Sequence, residues 1–200
     1  MQRTVQELNG EPWLALDETL PMAKQVMSSR SFGERVESLT ELREAISYHA
    51  ANAAQRLRKQ GLYANAVSVF IQNSPFDQAE YYGKTETIAL PSPTDCSLQI
   101  TNAALWILKK MYKPQVYYQK AGVMLSKLMP EGGQQIDLLG YSGSGNRSGK
   151  LMETVDNINR KYKRSTIRLA SEGTNRAWSM RRSFKSPNYT GDWKELPVVN

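Results

Sequence analysis

The sequence predicts an α+β domain: a four-stranded sheet with two helices on one face, in the order β-α-β-β-α-β. Two amphipathic stretches carry helix start and stop signals, four alternating or β-branched stretches interleave with them, and the composition changes abruptly after residue 129. Together these mark a sheet-and-helix domain over residues 28–129. A Gly/Ser-rich linker over 130–150 and a small basic α/β appendage over 151–200 follow it.

Residues 1–27 have no sustained period, although Thr4–Leu8 could form a short strand; the segment is an extended lead-in and reads as the continuation of something longer. The first strand is Ser28–Val36. Its hydroxyls, glycine and arginines suit backbone amides and cations laid against phosphate oxygens; the competing reading is an ordinary strand with solvated arginines. Ser38-Leu39-Thr40-Glu41 is a capping box, and Leu42, Ile46, Ala50, Ala53 and Leu57 then make one apolar stripe. Arg56, Arg58 and Lys59 load the last turn, and Gly61 stops the helix.

Ala66–Ile71 is a dense β-branched strand, and Tyr81–Leu90 alternates as the next, with Pro91 and Pro93 ending it. Thr94 or Asp95 caps a second helix with the stripe Thr101, Ala104, Leu105, Leu108 and Met111, closed by Pro114. Tyr117–Leu125 is the last strand, where Gly122 marks a close backbone approach or a bulge. Both helices fall on one sheet face, so the other is open.

Beyond residue 129, Leu151–Ile158 has helical spacing and Thr166–Ala170 could be a strand. Basic and aromatic residues interleave from Arg176 to Lys194, and a segment this short leans on a neighbour. Residues 1–150 carry a net charge of +2 and residues 151–200 a net of +5. Nucleic acid and an acidic protein surface are both compatible with that excess.

One cysteine, Cys96, excludes an intrachain disulfide and a cysteine zinc site, and one histidine, His49, excludes a histidine cluster. His49 lies between Ile46 and Ala50 as a packing residue, with no serine or cysteine partner that spacing nominates. Ser142–Lys150 is not a phosphate loop: Ser144 stands where the first glycine is needed and Leu151 replaces the Ser/Thr. No carboxylate pair suggests a metal-dependent site, so neither a catalytic nor a metal-binding set emerges. No apolar run approaches the roughly 20 residues that span a bilayer, and no signal peptide is evident; a cytoplasmic protein without a membrane partner is expected. Gln135-Ile136-Asp137-Leu138-Leu139 is an aliphatic island in the linker, either a docking peptide or a segment packing back on its own domain.

Ser-Arg-Ser-Phe-Gly-Glu-Arg-Val (29–36) leading this domain resembles the start of the little-finger domain of UmuC-like Y-family translesion DNA polymerases, the DNA polymerase V family. Tyr-Gln-Lys-Ala-Gly-Val-Met-Leu (118–125) is similar to the last little-finger strand. Gln135–Leu139 sits where the family carries its sliding-clamp peptide, with Leu139 in place of phenylalanine. Arg-Leu-Ala-Ser-Glu-Gly (168–173), Trp-Ser-Met-Arg-Arg (178–182), Ser-Pro-Asn-Tyr-Thr (186–190) and Glu-Leu-Pro-Val-Val (195–199) resemble the UmuC-type C-terminal module.

The resemblance implies a non-catalytic DNA-binding part of an error-prone polymerase used in SOS lesion bypass, in the cytoplasm at the nucleoid. The open sheet face would grip duplex primer–template DNA through Ser29, Arg30, Ser31, Gly33 and Arg35, Lys84, and Gln119 with Lys120. Phe32 would pack under the helices. Gln135, Ile136, Asp137, Leu138 and Leu139 would bind the clamp, and the basic tail would meet DNA, a UmuD-like accessory dimer or a RecA-type recombinase. The family's Mg²⁺-binding carboxylates lie in a palm domain that nothing in this chain resembles, so the chain itself needs no cofactor, has no activity alone, and is a fragment or truncated reading frame. The alternative is a protein-interaction module for clamp and accessory subunits without DNA contact.

Overall fold

A computed structural model describes residues 2–10, 22–77, 80–131, 145–162, 165–174, 176–180, 186–189, 191 and 196. Its elements are α1 (Gln2–Leu8), β1 (Gln25–Val36), α2 (Leu39–Lys59), β2 (Leu62–Gln72), β3 (Gly83–Thr94), α3 (Ser97–Met111), β4 (Tyr118–Pro130) and α4 (Gly145–Tyr162), with a 3₁₀ turn at Ala170–Glu172. The α+β class and the β-α-β-β-α-β order are as expected.

Local signals set α2. Ser38 Oγ accepts the Glu41 N–H at 3.2 Å and donates to its carboxylate at 2.8 Å. Gly61 stops the helix at φ +62. Leu42, Ile46, Ala50, Ala53 and Leu57 are all fully buried. On α3, Ile100, Ala104, Ile107 and Leu108 are equally buried, whereas Leu105 is only partly so.

The sheet order is β1-β4-β2-β3, with every neighbouring pair antiparallel. Both β-α-β connections therefore step over a strand, and α2 and α3 cover one face. β3 continues through Pro91 and Pro93 instead of ending there. It is an edge strand, and its register slips so that Ala66 faces Ala89 while Ala64 faces Thr94, which puts the prolines in the irregular part.

Three further expectations fail locally. Thr4–Leu8 is helical within α1, which has no fully buried residue and carries an Arg3–Glu7 pair one turn apart at 3.5 Å. Thr166–Ala170 is no strand: Asn159 holds Ile167 by accepting its N–H at 2.8 Å and donating to its carbonyl at 2.9 Å. Gly145–Lys150, read as linker, already belongs to α4.

The C-terminal part packs on the domain. Asp156 of α4 meets Arg58 of α2 at 2.7 Å, and Trp178 is buried in the core cluster. Among the described residues no helix is long and apolar enough to cross a membrane.

Candidate nucleic-acid interface

Strand side chains alternate between faces, so each residue's side follows from a buried neighbour. Val26 and Phe32 are buried beneath the helices, which turns Met27, Ser29 and Ser31 to the open face. The register carries this across the sheet in three rows: Met27–Met124–Ser68–Thr87, Ser29–Gly122–Phe70–Thr85 and Ser31–Lys120–Gln72–Gly83. The surface is hydroxyl-rich, with one aromatic ring at its centre.

Gly122 is a close approach. A Cβ there would lie 2.5 Å from Phe70 Cζ and 2.4 Å from Ser29 Cβ, so only glycine lets the ring lie across β4. Lys120 Nζ is 5.9 Å from the Phe70 ring centroid, and Ser68 and Thr87 hydroxyls join at 2.7 Å. Met27 is half-exposed.

The expected residues divide by position. Ser29, Ser31 and Lys120 share the open face. Arg30 and Lys84 do not: they end one helix-facing row, Arg30–Ala121–Ile71–Lys84, whose two central residues are fully buried. Both cations sit at sheet rims, an inward-pointing placement of charge characteristic of edge strands. Lys84 pairs with Glu86 at 2.6 Å, and this hydrogen bond raises the lysine pKa. Arg35, at the end of β1, pairs with Asp77 at 2.7 Å and lines a cleft of about 720 Å³ with Tyr81, Tyr82, Lys113 and Tyr117. Gln119 is the single β4 residue opposite the irregular segment Phe32–Arg35. The Gly33 amide, expected to meet phosphate, instead donates to the Trp178 carbonyl at 3.1 Å. Gln135–Leu139 lies outside the described residues, as do Arg181, Arg182, Phe184, Lys185, Trp193 and Lys194 of the basic tail.

Sequence reasoning missed Phe70. The signal was present: Val67, Val69 and Ile71 alternate with Ser68 and Phe70, so an inward aliphatic set leaves the aromatic outward. It also missed the partner of His49, whose Nδ1 lies 3.1 Å from Ser28 Oγ. Both residues are shielded from solvent. Burial lowers the His49 pKa to about 4, assisted by Arg30, Arg56 and Arg176, so the ring is neutral at pH 7. This Ser–His pair is a core hydrogen bond. Among the described residues no group of three His, Cys, Asp or Glu side chains could hold a metal ion.

The molecule is an α+β domain whose four-stranded sheet is covered by α2 and α3 on one face and carries the hydroxyl-rich rows on the other. The impB/mucB/samB family C-terminal domain matches residues 23–138, and the chain belongs to that family, as the C-terminal part of a UmuC-like Y-family protein. A second block, a domain of unknown function (DUF4113), matches residues 149–199. Protein UmuC of Salmonella typhimurium strain LT2 is 40% identical over 197 residues, covering 98% of this chain and 47% of UmuC. Protein MucB of Escherichia coli and protein ImpB of Salmonella typhimurium are 37% and 36% identical over 200 residues, covering all of this chain and 47% of each relative. The chain thus spans about half the length of the curated relatives it matches.

Proposed function

We propose that this chain is the DNA-gripping part of an error-prone translesion polymerase, holding primer–template duplex by its phosphate backbone during SOS repair in the cytoplasm, at the nucleoid. The supporting observation is the open face, where Ser29, Ser31 and Lys120 lie in adjacent rows around Phe70, in a chain of the impB/mucB/samB family. Hydroxyls and a lysine engage phosphates without reading bases, which suits an enzyme that tolerates lesions. Arg30 and Lys84 extend the grip from the rims, and Arg35 with Gln119 from the end of the sheet. Catalysis and its Mg²⁺ belong, on this reading, to the palm of the polymerase, and purified chain incubated with Mg²⁺ and primer–template gives no extension.

Binding of duplex by the 200-residue chain, followed against salt, tests the reading. Log K falls with log salt by about 0.9 per phosphate contact, and Lys120→Ala lowers that slope by about one contact. Salt-indifferent binding overturns it.

The apolar content of the face, with Met27 half-exposed beside Met124, favours a second reading: a protein-interaction module for a sliding clamp, a UmuD-like accessory dimer or a RecA-type recombinase. Deleting Gln135–Leu139 separates the two, because clamp capture is lost while duplex binding stays.

A further inference from the structure

Among the described residues, a backbone hydrogen bond joins the outer edge of the sheet to the block of unknown function. β1 is an edge strand, and its register with β4 slips between Ser31 and Val36, so that Phe32–Arg35 oppose Gln119 alone. Irregularities of this kind bend a strand and re-aim its side chains, and they need support from outside the ladder. Here the support comes from the far end of the chain, where the Trp178 carbonyl accepts the Gly33 N–H at 3.1 Å.

Trp178 is itself anchored. Its indole is 4% exposed and packs edge-on to Phe32 at 6.1 Å and against Tyr48 at 5.6 Å. Arg176 lies 4.2 Å over the Tyr48 ring and pairs with buried Glu172 at 3.1 Å. The Glu172 carboxylate also accepts the Leu169 N–H at 3.1 Å. Phe32 belongs to β1, which carries the irregular segment, and Tyr48 to α2, the helix that follows it, while the Glu172 contacts tie the C-terminal segment to itself.

We infer that Leu169, Glu172, Arg176 and Trp178 make an intramolecular brace: the block of unknown function seats Trp178 on α2 and the outer edge of β1, and thereby holds Phe32–Arg35 in the form that presents Ser31 and Arg35. Covering an edge strand also withdraws its free amides from other chains. Trp178 is a positioning residue, and only its effect on DNA rests on the reading above.

Amide hydrogen exchange on the full chain carrying Trp178→Ala tests the brace. The amides of Phe32 to Arg35 should exchange about tenfold faster, while those of Val67 and Val69 in β2 keep their rates. Duplex binding should lose about 0.9 from its salt slope, one phosphate contact. Arg35→Ala should lower the slope without changing exchange. Equal acceleration in β1 and β2 would make Trp178 an ordinary core residue, and unchanged exchange over 32–35 would make its contact incidental; either result overturns the brace. Should Trp178→Ala fail to fold, Trp178→Phe gives smaller changes of the same sign. If the wild-type chain shows no salt-dependent duplex binding, the DNA reading fails alone and exchange still decides the brace.

Discussion

At Gly122 the missing side chain is what lets the Phe70 ring lie across β4. Phe70 and Ser29 already occupy the space a Cβ would take, so Gly122→Ala must displace the ring or spread β1 from β4. Overpacking of this kind costs about 1–3 kcal/mol, to be read from urea denaturation. Pairing the change with Phe70→Leu should recover part of the loss, since a smaller side chain can turn away. The sequence marks Gly122 as special but does not say which ring crosses it, because the crossing residue comes from another strand. Arg30 teaches the complementary lesson. Counting by twos from Phe32 puts Arg30 inward from sequence alone, and adjacent Arg30 and Ser31 could never have shared one face.

Among the elements, α2 and α3 are legible because their stripes and stops are local, and α2 also carries the expected Ser38 cap; α3 instead follows Cys96, which makes no side-chain cap bond, and not a Thr94 or Asp95 cap. Strand ends are less so: β3 passes two prolines only because it is an edge with a slipped register, and edge status is a property of the sheet. The placement of α4 is wholly tertiary. Asp156 takes Arg58 at 2.7 and 3.1 Å, while Arg58 also donates to the Asp95 carbonyl at 2.6 Å and to Ser97 Oγ at 3.0 Å. Arg58 thus ties α4 to α2 and to the start of α3. Asp156→Ala removes one partner of this half-shielded pair and should cost about 1–3 kcal/mol, below the value for fully buried pairs. Limited proteolysis should then cut within α4 earlier than within α2. Equal cutting of both helices would show that the pair does not hold α4.

At the scale of the whole molecule, β1, α2 and the C-terminal segment enclose one histidine, and that enclosure sets a pH dependence. The His49 pKa falls from 6.5 to about 4, chiefly through burial, with Arg30, Arg56 and Arg176 adding to the effect. Between these values the unfolded chain binds a proton that the folded chain does not. The stabilisation is therefore fully present above about pH 6.5 and is lost as pH falls toward 4, for a total of about 3 kcal/mol. His49→Gln should flatten the stability profile over that interval, as measured by denaturant unfolding at several pH values; an unchanged slope would place the titration elsewhere.

By itself the sequence determined the two helices and four strands of the sheet domain, their order and the open face, because periodicity and turn residues act over a few neighbours; α1, the start of α4 and residues 166–170 escaped it. Its motifs also carried the family, which the match over residues 23–138 bears out. Tertiary structure alone decided which strands are edges, that Arg30 and Lys84 lie at the rims, that Ser28 partners His49, and that Trp178 takes the Gly33 amide. Each of these joins residues far apart in the chain, and such contacts depend on strand register and helix docking, which local preference does not encode.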